Sequence, residues 1–339
     1  MVGVEWTPNR SKGAGQLMIA FIAIALAAGA ASALMFASLI SGEPISLVLV
    51  MLAPLPLMVA GMSWGPLSAS IGGIAAATGF GVLFGLPYSI SFALAVALPA
   101  WWLAHLALLG RAAAHDASAA DAAAPQLEWY PVGRIVLWIG AVAALTTFAA
   151  LLALGTDAAS IHETLRNGLT RILRAADVPL SPETAPLIDL VVAVSPPIAA
   201  AFSTMTLAFS LWLAAKVTAM SGRLRRPWPD LRATALPPMT LAVLFAAIGF
   251  CFAGGLLAIA AAIATSTLLM AYGLTGFAVL HTLTLSWKSR PFWLGSTYAL
   301  VMMFGWPVLI MVALGLADAA FGLRQRFWQR QQPPPLPAP

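Results

Sequence analysis

The sequence predicts an all-α fold: a polytopic transmembrane helical bundle of about eight or nine spans with its N-terminus in the cytoplasm. Two observations predict it. Of 339 residues, 61% are hydrophobic and 9% are charged, against about 25% charged in soluble domains. The charges are also segregated, since no Asp, Glu, Lys or Arg occurs over 45–110 or over 233–287. A span needs about 20 apolar residues, so these windows hold roughly three and two helices. The single cysteine, Cys251, lies in an apolar run, which excludes a disulfide framework and a Cys-based metal site.

Nine hydrophobic segments follow in order, approximately 17–40, 46–62, 67–84, 89–109, 133–154, 187–216, 238–257, 262–286 and 292–316. Arg10 and Lys12 before the first, and "AAGAASA" within it, imitate a signal peptide. The apolar run continues to Ile40, long enough to span, so the segment reads as an uncleaved helix. The loops between the second, third and fourth segments are very short, which makes those helices antiparallel neighbours.

Orientation follows the Lys/Arg bias. Arg10 and Lys12 place 1–16 in the cytoplasm. The same rule puts there the basic loop 217–237, with Arg223, Arg225, Arg226 and Arg232 after Lys216, and also Lys288 and Arg290. The stretch 155–189 holds three Arg against five acidic residues and falls outside. The resulting organisation is a membrane domain over 17–216, with a cytoplasmic linker at 110–131 and an external amphipathic helix at 158–176. C-terminal helices at 238–322 and a basic, Pro-rich, disordered tail at 323–339 follow. An odd count of spans would put that tail outside. Either one segment does not fully cross, with Gly305 and Pro307 making the last a candidate for a re-entrant path, or a window hides a third short span.

In the external helix, Ser160 and Glu163 match a capping box. Ile161, Leu165, Leu169, Ile172 and Leu173 then share a face, which reads as a helix on the membrane surface or as a lid over an external opening. "VSPP", 194–197, reads as a kink or break in the sixth segment. Asp189 reads as a charge favoured at a helix N-terminus.

The stretch "GMSWGPLSASIGG", 61–73, predicts a tight hairpin. Pro66 suits a first helical turn, where its missing N–H is no loss. Ser68, Gly72 and Gly73 allow close helix approach. With the Ala-rich first helix, where Ala23, Ala27 and Ala31 recur every four residues, this part resembles the substrate-binding (S) components of energy-coupling-factor vitamin transporters. The resemblance implies that Ala23, Ala27, Ala31, Gly65, Pro66 and Gly72 pack against another helix or a membrane coupling subunit.

The C-terminal third, "LLMAYGLTGFAVLHTLTLSW" and then "GLADAAFGLRQRF", resembles the ending of the uncharacterised YybS-like bacterial membrane proteins. That ending maps onto Gly315, Leu316, Asp318, Phe321 and Arg324. The family's Gln-Gly pair is replaced here by Leu274-Thr275-Gly276. Both resemblances imply a multi-pass protein of the bacterial inner membrane.

No HExxH, GxSxG, P-loop or CxxC occurs, and no acid–base pair is visible, so the chain reads as a non-enzyme without cofactor or metal. Its expected partners are the lipid bilayer and a coupling subunit or other membrane protein, with no nucleic acid. Intramembrane ionisable groups and ring-bearing side chains mark a candidate ligand pocket: Tyr88, Trp101, His105, Tyr272 and His281. Trp101, with Trp102, also suits an interfacial belt. Two functions compete. One is a solute-binding or transport-associated protein of the S-component type that needs a partner for energy. The other is a non-transporting scaffold or assembly protein acting through its cytoplasmic loop and tail.

The orientation scheme has a direct test. With Cys251→Ala as background, cysteines placed at Ser160 and Ser221 are expected to label from opposite sides of the membrane. Labelling of both from one side overturns it.

Overall fold

The computed structural model describes residues 10–112, 127–179 and 181–331. The N-terminal 1–9, most of the linker (113–126), Leu180 and the Pro-rich end 332–339 lie outside the described residues. The fold is all-α, with two three-residue strands as its described sheet. The chain divides into two compact units, 1–130 with 209–227 and 131–208 with 228–339. These boundaries differ from the sequence division at 216 and 238.

The first unit holds α1 (Arg10–Ala37), α2 (Pro44–Met51), α3 (Pro54–Trp64), α4 (Pro66–Phe84), α5 (Leu86–Phe92) and α6 (Leu98–Leu108). α5 and α6 join through a π-helical turn at Ala93–Ala97. One residue, Gly65, reverses the chain between α3 and α4, at φ 101°, where a side chain is strained. Pro66 follows in the first turn of α4, as expected, and Ser68 Oγ donates to the Gly65 carbonyl at 2.9 Å. Gly85, at φ 96°, makes the same single-residue turn into α5.

α1 and α4 form the main seam of this unit. A Cβ on Gly29 would collide with the Gly72 carbonyl, and one on Gly72 with the Ala25 carbonyl. Further along, Phe36 meets Phe80 at 5.5 Å between ring centres. The register advances in the same sense on both helices, from Gly29–Gly72 to Phe36–Phe80, so they are parallel. First and third spans of an up-and-down chain must be parallel. Phe92 closes the aromatic cluster, 5.1 Å from Phe80 and 5.6 Å from Phe36. The seam is Ala25, Gly29 and Ser32, whereas Ala23 and Ala27 are exposed and Ala31 is half-buried. The linker's flanks are ordered: Gly110–Ala112 pairs antiparallel with Leu127–Trp129, and Arg111 bonds Glu128 at 2.8 Å.

The second unit contains α7 (Val132–Leu152), α8 (Ala158–Ala175), the first part of α9 (Ala185–Met220), α10 (Met239–Phe250) and α11 (Gly255–Leu283). α12 (Arg290–Phe304), α13 (Val308–Phe321) and α14 (Leu323–Gln331) complete it. α8 begins one turn before the expected box. Asp157 caps it, accepting from the N–H groups of Ala159 and Ser160 at 3.0 and 2.9 Å, while Ser160 Oγ accepts from the Asp157 N–H. These bonds hold the Asp157 carboxyl below its usual range. Ile161 packs into a core with Leu151, Ala200 and Ile263, whereas Ile172 is exposed. The start of α8 is thus docked on protein, and its far end faces outward.

α9 runs through Pro196 and Pro197 without the break weighed as one reading of the sequence. Pro196 has no N–H to give the Val192 carbonyl, but Ser195 Oγ donates to that carbonyl at 3.0 Å. α11 and α13 make the most extensive pairing. A Cβ on Gly276 would strike the Met311 carbonyl, and one on Gly315 the Tyr272 carbonyl. Stepping back four residues on α11 steps forward four on α13, so the two are antiparallel.

Among the described residues, seven helices are long and apolar enough to cross a membrane: Gly15–Ser41, Pro44–Trp64, Pro66–Phe84, Leu86–Leu108, Val132–Leu152, Ala185–Met220 and Gly255–Leu283. The bent pair Val308–Phe321 and Leu323–Gln329 makes an eighth if it counts as one span. Two of the nine segments therefore change. The seventh is α10, whose 12 residues extend about 18 Å against a hydrocarbon core of about 30 Å. The ninth is split into α12 and α13 at Gly305, at φ 70°, and Pro307.

Gly72→Leu is expected to destabilise the isolated protein by about 1–3 kcal/mol, because a backbone carbonyl cannot yield as a side chain can. Gly79→Leu, on the same helix, has open space at its Cβ and is expected to unfold at the wild-type temperature. Thermal unfolding in detergent checks both; an unshifted midpoint for Gly72→Leu overturns the seam.

Candidate functional site

Of the five pocket candidates, three lie in the first unit and two in the second. In the first unit, Tyr88 is exposed and lies 6.0 Å from Phe84. Trp101 and His105 stack at 6.3 Å, next to Trp102. Tyr88 and Trp101 are 13 positions apart on one helical span, about 20 Å along its axis. In the second unit, Tyr272 is buried in the seam, where its carbonyl accepts from Thr275 Oγ1 at 2.8 Å and faces Gly315. His281 Nε2 bonds the Tyr298 hydroxyl at 2.9 Å, and the Tyr298 ring stacks on Phe277 at 5.3 Å.

An open depression of about 420 Å³ lies at the first loop, lined by Leu39, Gly42, Glu43, Pro44, Ser46 and Leu47. None of the five candidates lines it. Among the described residues no group of three His, Cys, Asp or Glu is placed to hold a metal ion.

Two of the residues singled out by the C-terminal resemblance, Asp318 and Arg324, are bonded to each other. Gly322, at φ 62°, ends α13 and gives its N–H to the Asp318 carbonyl at 2.8 Å. The chain then turns so that Arg324 faces back onto Asp318. The Arg324 backbone N–H donates to Asp318 Oδ1 at 2.9 Å, and its Nε and Nη2 donate to Oδ2 at 2.9 and 2.7 Å. Nη1 reaches the carbonyls of Arg232 and Thr234 at 2.7 and 2.8 Å. The two charged side chains are 13% and 10% exposed. Phe321 points outward and takes no part. One ion pair therefore ties the end of α13 to the loop before α10, and sets the start of the basic tail beside the basic loop. An odd number of crossings would have parted them.

The rest of that loop is also held. In the first unit, Arg223 lies 4.7 Å over the Trp64 ring. Arg226 is half-buried and donates to the Ala107 carbonyl at 3.4 Å, and burial lowers its pKa. In the second unit, Asp230 accepts from Arg232 Nε and Nη2 at 2.9 and 3.3 Å, and that hydrogen bonding holds its carboxyl below the usual range. Arg225 remains exposed. The carbonyls of Ala107, Arg232 and Thr234 were invisible as partners in the sequence, because every residue carries the same group. On the other face of the second unit, Asp189 lies 3.1 Å from Arg166 Nε and 3.5 Å from His162 Nε2. It therefore joins α8 to α9 rather than serving the helix end alone.

Comparison with protein-family models, curated proteins and solved structures finds no significant match for the chain.

Breaking a buried ion pair leaves an uncompensated charge, which costs about 3–5 kcal/mol. Asp318→Asn and Arg324→Gln are each expected to lower stability on that scale and to speed amide exchange at 231–235. The double variant is expected to lose less than the sum. Additive losses measured by thermal unfolding, with unchanged exchange in the loop, overturn the coupling.

Proposed function

We propose that this multi-pass membrane protein is a scaffold or assembly component of a bacterial inner membrane, working through its basic loop at 217–237 rather than through a solute held in its own interior. The observation that supports the reading is the fixed loop. Arg223, Arg226 and Arg232 are each anchored to a ring, a carbonyl or a carboxylate, while Arg225 stays exposed. A loop built to be shapeless gains nothing from such anchors, whereas a docking surface loses less entropy on binding if it is already ordered. The seams add to this, since their glycines bring backbones into contact and leave no room between them for a solute.

A second reading has one observation in its favour. Ala23 and Ala27 face outward on α1, so a small-residue stripe is available to a coupling subunit, as the S-component resemblance implies. In that reading the chain binds or helps to move a solute and draws energy from its partner.

Site-specific photo-crosslinking in native membranes separates them. With a photoreactive residue at Arg225, a discrete protein adduct is expected, and with one at Ala27, lipid adducts alone. A protein adduct at Ala27 and none at Arg225 overturns the scaffold reading in favour of the coupled one.

A further inference from the structure

α12 has an unusual environment. None of its residues is buried, and Leu300, Met302, Met303 and Phe304 all stand exposed on its shaft. In a multi-pass membrane protein such a shaft is solvated by acyl chains. Its 15 residues extend about 22 Å, enough to traverse one leaflet's hydrocarbon, about 15 Å. The opposite chemistry gathers at its N-terminal turn. Lys288 is exposed there, and Arg290 buries its Nε with no hydrogen-bond partner among the described residues. Ser289 precedes the helix without a side-chain cap, so the first-turn N–H groups add their own positive potential. Arg290 and Arg232 both act electrostatically on His281. The carboxylates Asp230 and Asp318 are committed to Arg232 and Arg324. Around this charge stand the exposed rings of Trp287, Phe292 and Trp293, with Trp287 and Trp293 edge to face at 5.6 Å.

We propose that the N-terminal turn of α12 binds one anionic phospholipid. Arg290 and Lys288 take the phosphate, the Trp287, Phe292 and Trp293 rings sit at the glycerol level, and the acyl chains lie along the shaft. Charge complementarity selects this occupant. A neutral apolar partner would cover the shaft but leave the cationic turn unmatched. A free phosphate would match the turn but leave the shaft bare. Basic groups beside aromatic collars at helix ends are suited to such headgroups.

The test uses the full chain in nanodiscs of phosphatidylcholine alone or with a minor fraction of phosphatidylglycerol, released into native mass spectrometry. Wild type is expected to retain one phosphatidylglycerol in preference to phosphatidylcholine. A single basic contact near a membrane surface is worth about fivefold in affinity, so Arg290→Gln and Lys288→Gln are each expected to weaken retention by about that factor. Arg174→Gln, an exposed change in α8, is expected to leave it unchanged. Equal retention of both lipids, or wild-type retention in both α12 variants, overturns the proposal. Displacement of the bound lipid by inorganic phosphate alone would show a free-anion site and also overturn it. If Arg290→Gln fails to fold, the exposed Lys288→Gln decides.

Discussion

Hydrocarbon solvates a leucine as well as another leucine does, so burying apolar side chains gives membrane helices little reason to associate. What remains is dispersion between atoms that touch, and backbones touch where side chains are missing. Both units of this chain are held by that constraint. Gly29 and Gly72 bring α1 against α4, and Gly276 and Gly315 bring α11 against α13. The bulky residues point the other way, as Val82, Leu83, Phe252 and Met302 do. The two seams are therefore made of backbone and small side chains, while large buried side chains such as Leu57, Phe92 and Ile263 fill the space beside them.

The same solvent governs the polar groups. With no water to turn to, a hydroxyl in a span bonds the carbonyl three or four residues behind it, as Thr204, Thr218 and Thr282 do. Ser195 uses this habit to satisfy the carbonyl orphaned by Pro196, and α9 stays whole. Formal charges stay out of the middle of the membrane-spanning helices. Asp318 and Arg324 form a buried ion pair, and it is tolerated because four nitrogens of Arg324 give five hydrogen bonds to two carboxylate oxygens and two carbonyls. The position of the tail's first residues beside Arg232 and Thr234 follows from that set of bonds.

Local features were legible in the sequence and distant partners were not. The all-α class, the segregation of charge and the Gly65–Pro66 turn depend on composition or on adjacent residues, and the structure shows each. Gly72 was legible as a point of close approach, because a run of small residues signals one. Its partner on α1 was not legible. An Ala-rich helix is small on nearly every face, so Ala23, Ala27 and Ala31 looked as suitable as Ala25, Gly29 and Ser32, and the packing of α4 alone made the choice. The cap of α8 was displaced by one turn because Asp157 and Ser160 both suit the role, and the docking of Ile161 sets where the helix begins.

The sequence by itself determined the solvent this chain lives in, its helical class and the turns between its early spans. Each of these rests on transfer free energy or on φ preferences that single residues possess. Tertiary structure decided which faces meet, whether the Pro pair breaks α9, how the last segment divides, and what Arg324 holds. Those outcomes rest on backbone carbonyls and on empty space beside glycines. Every residue has the former and any small residue offers the latter, so neither is recorded in residue identity, and only the path of the chain brings the two into register.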